Sequence, residues 1–151
     1  MAEITWKGYL ELLDGLTKTL ERLTGVEELK TAAASRGDLP GVEDCMKQEQ
    51  AISLSLRSFD IRREKMLAGL GLEGVNLSGL PDRAPQELRL EVKAAAERLR
   101  QQYSVFQAAS EVARNTLECN LRAIEQLQAQ RMGDDAQAKE LRNTRQTDFR
   151  A

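Results

Sequence analysis

Large apolar residues recur at helical spacing from the start of the chain. Trp6, Tyr9, Leu13, Leu16, Leu20 and Leu23 follow one another at intervals of three and four, the seam of an amphipathic helix packed in a bundle. Thr24 and Gly25 interrupt it, and Thr24 with Glu27 has the letters of a fresh capping box, so a bend or break at Gly25 stays an open alternative. Val26, Leu29 and Ala33 carry an apolar face onward and give a first helix over about residues 3–34. Gly37 then supplies a chain reversal, and Asp38 is a good N-cap. A second seam runs Val42, Cys45, Glu49, Ile52, Leu56, Phe59, Arg63, Met66 and Leu70, which predicts a helix over about 39–70. Pro40 falls in its first turn, where the missing N–H has no intrahelical partner to lose. Gly71 supplies the left-handed stop.

Residues 72–85 read as a connector holding Pro81 and Pro85, but Leu72, Val75, Leu77 and Leu80 are too regular for a loose linker. The connector is expected to pack on the bundle. From Pro85 a third and longest helix is predicted to about residue 130, through Leu88, Val92, Ala95, Leu99, Tyr103, Phe106, Ser110, Ala113, Leu117, Leu121, Ile124 and Leu127. It spans roughly 60 Å, against roughly 50 Å for each of the others. Three antiparallel helices of unequal length leave one end of the longest unsupported. Past Gln130 the pattern fades: Gly133 breaks helix propensity, and only Leu141 and Phe149 are large and apolar thereafter.

The expected fold is all-α, an antiparallel bundle of three long helices, two shorter and one long at the C-terminal end. Residues 1–130 form a single domain with a packed connector, and residues 131–151 a mobile tail, flexible alone or ordered by a partner.

Charge narrows the function classes. The chain carries 22 Lys and Arg against 24 Asp and Glu, interleaved rather than segregated, so it has no basic stripe for nucleic acid. No run approaches the roughly 20 apolar residues of a membrane span, and Met1-Ala2-Glu3 is not the start of a secretory signal, so a cytoplasmic protein is expected. Cys45 and Cys119 form no metal-type or redox spacing, and both are read as small buried hydrophobes. There is no histidine, no carboxylate pair on a shared face and no nucleophile with a base, which predicts a non-enzyme without metal or cofactor. Gly69-Leu70-Gly71-Leu72-Glu73-Gly74 has the letters of a dinucleotide loop but ends a helix with no preceding strand.

Two sets of residues remain as candidates. Glu49 and Arg63 stand on the apolar seam of the second helix, where a charge is costly unless paired. They lie about 21 Å apart along the axis and cannot reach each other, so each is expected to pair with a neighbour or reach the bundle edge, fixing register. Leu117, Leu121, Ile124 and Leu127, with the flexible Met132 beyond, form an apolar stripe suited to a partner helix.

The stretch Arg36-Gly37-Asp38-Leu39, then Lys47-Gln48-Glu49, then Phe59-Asp60-Ile61-Arg62-Arg63 leading to Leu70-Gly71, and finally Val75-Asn76-Leu77-Ser78-Gly79-Leu80 resembles the FlgN-type flagellar export chaperones. The resemblance implies a cytosolic helical chaperone that binds the C-terminal helical region of hook-associated filament-junction proteins. It implies that these clients are kept from aggregating and delivered to the type III export apparatus. In such chaperones the C-terminal amphipathic segment takes the client, which points to Leu117, Leu121, Ile124 and Leu127. Asn115 and Asn120 fall where the family tends to carry asparagines, and Glu49 and Arg63 have structural roles. The second reading is a self-associating structural or regulatory coiled coil, in which the longest helix pairs with its own copy; for the chaperone, self-association in the absence of client is an open alternative.

Overall fold

Each helix begins and ends where its local chemistry dictates. The computed structural model describes residues 4–150, with side chains through Leu141; the expected start at Glu3 and the side chain of Phe149 lie outside the described residues. Helix α1 spans Trp6–Ser35, opened by Thr5, whose hydroxyl accepts from the Gly8 N–H at 3.1 Å. It ends where Gly37, at φ 70°, passes its N–H to Ala34 and lets the Asp38 N–H reach Ala33, a closure that a left-handed residue makes possible. Asp38 then caps α2, Leu39–Gly69, accepting from the Gly41 N–H at 3.1 Å with Pro40 in the first turn. The same closure recurs at Gly71, φ 74°, where the Leu72 N–H returns to the Leu67 carbonyl at 2.8 Å.

The connector is packed, as its apolar residues require. Leu72 and Leu80 are buried in the largest core cluster, and Val75 and Leu77 lie against it. A four-residue helix α3, Leu80–Arg83, and a 3-10 turn, Gln86–Leu88, lead into α4, Arg89–Arg150.

One open question about helix continuity is answered and one expectation is corrected. Helix α1 passes through Gly25 without a break, because the Thr24 hydroxyl donates back to the Leu20 carbonyl at 2.8 Å instead of capping a new helix. Burial of Leu23 and Val26 holds the backbone on course. Helix α4 likewise does not stop near residue 130: it runs through Gly133 to Arg150, 62 residues in all, about 93 Å. One glycine costs only about 1 kcal/mol against alanine, and Ala136, Gln137, Ala138, Lys139 and Glu140 beyond it are good helix formers. The segment 131–150 is therefore described as helix rather than as a structureless tail.

Consecutive long helices run antiparallel, so α1 and α4 point the same way. Helix α1 lies between the other two and buries residues in adjacent pairs, Leu12 with Leu13, Thr19 with Leu20, Leu23 with Thr24 and Val26 with Glu27, the mark of a helix covered on two sides. Among the described residues no Cα of α2 comes within 8 Å of one in α4. The bundle is thus open on one flank. Its core is stacked: Tyr9, Leu13, Leu80 and Val92 are fully buried at the base, Leu23, Val26, Cys45 and Ile52 lie midway, and Ala33, Ala34 and Val42 close the top. Gly15 lets α2 approach, since a Cβ there would stand 2.9 Å from Phe59 Cε1.

Candidate functional site

The sequence-derived stripe begins inside the bundle and leaves it. Leu117 is half-buried against Ala33, Ala34 and Val42, and Asn120 donates its side-chain N–H to the Ala34 carbonyl, a second donor beside the Gly37 N–H at the end of α1. Past that contact every described side chain of α4 is exposed, and about 45 Å of helix projects beyond the bundle. Leu121 is 52% exposed, Leu127 58% and Met132 75%, with Ile124 at 36%. At 100° per residue Leu117, Leu121, Ile124, Leu127 and Met132 fall within an arc of about 140°. Gln128, Arg131 and Asp135 also fall inside that arc, so the apolar run ends at Leu127, after about three turns, with Met132 beyond it. Cys119 is exposed, against the expectation that both cysteines are buried; only Cys45 is. Cys119 sits two residues past Leu117, on the opposite side of α4.

The seam charges on α2 have separate partners. Glu49 meets Lys30 of α1 at 2.6 Å, and Lys30 also meets Glu27 at 3.2 Å. The two contacted carboxylate oxygens are buried, and both hydrogen bonding and charge attraction tie them to the ammonium. Burial raises the Glu27 pKa and the nearby Glu49 adds to the rise, while Lys30 opposes it. For Lys30, burial alone would lower the pKa, but Glu49 and Glu27 together raise it. Arg63 pairs with Asp60 of its own helix at 3.1 Å. Its charge also reaches the buried Tyr9 phenol, partly offsetting the upward push of burial on that group. Glu49 and Arg63 do not meet.

Two cavities line the open flank between α2 and α4. One, of about 480 Å³, has Leu16, Leu20, Leu56, Leu99 and Tyr103 among its walls, with Arg57, Asp60, Arg63 and Arg100 at its edges. Its neighbour, of about 780 Å³, shares Arg57 and runs past Met46, Leu54 and Lys30 to Leu117. Sequence reasoning missed this flank and also Glu27. The signal for Glu27 was present: counting on by four from Leu23 lands on Glu27, and by three more on Lys30.

The arrangement defines an all-helical protein with a projecting apolar helix and an open flank. Among the described residues no three His, Cys, Asp or Glu side chains could hold a metal ion, and no helix is long and apolar enough to cross a membrane. No protein-family model, curated protein or solved structure matches the chain.

Proposed function

We propose that the chain is a cytosolic export chaperone of the FlgN type. It binds the C-terminal helical region of hook-associated flagellar proteins, keeps them from aggregating and presents them to the type III export apparatus. The observation that supports this most is the projection of α4 past Asn120 with Leu121, Ile124, Leu127 and Met132 turned to solvent. A soluble protein gains nothing from an exposed leucine stripe that stays uncovered, and such patches mark interaction surfaces. An amphipathic client segment, disordered alone, folds against the stripe and hides its own leucines there. Release needs only the separation of two helices.

Calorimetric titration with C-terminal fragments of hook-associated proteins tests the reading. The intact chain binds. The double variant Leu121→Asp/Ile124→Asp does not, while its helicity and thermal unfolding stay close to those of the parent, because neither residue belongs to a core cluster. Truncation after Asn120, which keeps the contact to Ala34, also abolishes binding. Absence of binding by the intact chain, together with a tight dimer that Leu121→Asp/Ile124→Asp dissociates, would replace the chaperone with the self-associating coiled coil.

A further inference from the structure

The flank between α2 and α4 has the form of a bundle lacking one helix. Packed helices normally lie 8–10 Å apart, axis to axis, yet among the described residues no Cα of α2 comes within 8 Å of one in α4, and each packs instead on α1. The floor is apolar: the core residues Leu16 and Leu20 of α1 and Leu99 of α4, each less than a tenth exposed, show only an edge there, beside the partly buried Leu56 of α2 and the half-exposed Tyr103. The two cavities follow α1 from Leu16 to Lys30, about 21 Å or four turns of helix.

The rim is mixed but net positive: Asp60 and Glu49 stand among Lys30, Arg57, Arg63 and Arg100. Arg57 stands on the α2 side and Arg100 on the α4 side of the same cavity. Among the described residues Arg57 has neither an ion pair nor a hydrogen bond, and Arg100 only donates to the Ser78 hydroxyl, at 2.7 Å. The third cation there, Arg63, is already neutralised by Asp60. Two exposed, uncompensated guanidiniums thus face each other across an apolar trough.

We propose that this flank is a docking groove for an amphipathic helix of another protein, about four turns long, with leucine-like residues on the inserted face and carboxylates along both edges. Its apolar face completes a four-helix bundle over Leu16, Leu20, Leu56 and Leu99, and its carboxylates meet Arg57 and Arg100. The groove is separate from the projecting stripe of α4, which it approaches only at Leu117, and it does not depend on the chaperone reading.

The test uses two labelled helical peptides of about 14 residues, alike in their leucines at three-and-four spacing, one flanked by glutamates and the other by lysines, followed by fluorescence anisotropy. The intact chain binds the glutamate peptide about tenfold more tightly than the lysine peptide, and added salt narrows the gap. Arg57→Glu/Arg100→Glu reverses the preference, which a merely misfolded variant would not do. Leu121→Asp/Ile124→Asp leaves it unchanged, which separates the groove from the stripe. Equal binding of both peptides, binding of neither, or loss of the preference in the stripe variant would overturn the proposal. So would a dimer of the intact chain that Arg57→Glu/Arg100→Glu dissociates, since the groove would then belong to a second copy.

Discussion

Lys30 of α1 and Glu49 of α2 meet at 2.6 Å, and the same ammonium lies 3.2 Å from Glu27. One cation thus serves two carboxylates in a place where water has little access: the Glu27 side chain is only 4% exposed and that of Lys30 12%. The cluster carries one excess negative charge when all three groups are ionised.

That excess has a pH signature. The folded pKa of Glu27 is raised above its ordinary 4.5, first by burial and then by Glu49, so the native state holds this proton more tightly than the unfolded chain. Stability from this group is greatest below 4.5 and is lost as the pH rises through the folded pKa. Glu27→Gln removes the excess charge and keeps the shape. It is expected to raise the thermal midpoint at pH 7, with the advantage over the parent closing as the pH falls toward 4.5. Calorimetric melts across that range check it, and an advantage that persists unchanged in acid would contradict it.

Asn120 is the last residue of α4 tied to α1. Asn120→Ala leaves the Ala34 carbonyl with the Gly37 N–H alone, a loss of about 1 kcal/mol in urea unfolding. Hydrogen exchange should quicken in the last turn of α1 and not at its start, which separates a local contact from general loosening.

Gly133 sits in the projecting helix with nothing near the position a Cβ would take. Gly133→Ala is expected to raise helicity by circular dichroism, and Gly133→Pro to lower it, by removing about 1 kcal/mol and adding about 2 kcal/mol of helix cost respectively. Neither should move the cooperative unfolding of the bundle, because no core cluster reaches that far. A shift of the bundle's transition with either change would show that the projection is part of the folding unit.

Much of the fold was legible because helix termini write themselves locally. Asp38 with Pro40, and the glycines at 37 and 71, have roles that depend on a few neighbouring atoms, and each stands where its chemistry places it. Continuity was less legible. Gly25 and Gly133 look like breaks in isolation, but at Gly25 tertiary burial outweighs a penalty of about 1 kcal/mol, and at Gly133 strong helix formers on the far side do so. Glu27 was passed over because the apolar face was followed through Val26 and Leu29, and Leu29 is 60% exposed. Hydrophobic spacing tells which side of a helix is covered but not the angle between two neighbours, so the gap between α2 and α4 had no counterpart in the pattern. The exposure of the stripe did, through the unequal helix lengths alone.

The central place of α1 also sets the order in which the molecule comes apart. Helix α2 buries only Val42, Cys45, Ile52 and Leu67, while α1 buries residues along its whole length. Among the long helices within the bundle, local opening starts with the one that has fewest buried contacts, so α2 is the page that lifts first there, with the parallel pair α1 and α4 left bound as a spine. Anything seated between α2 and α4 would act as a clasp on that page.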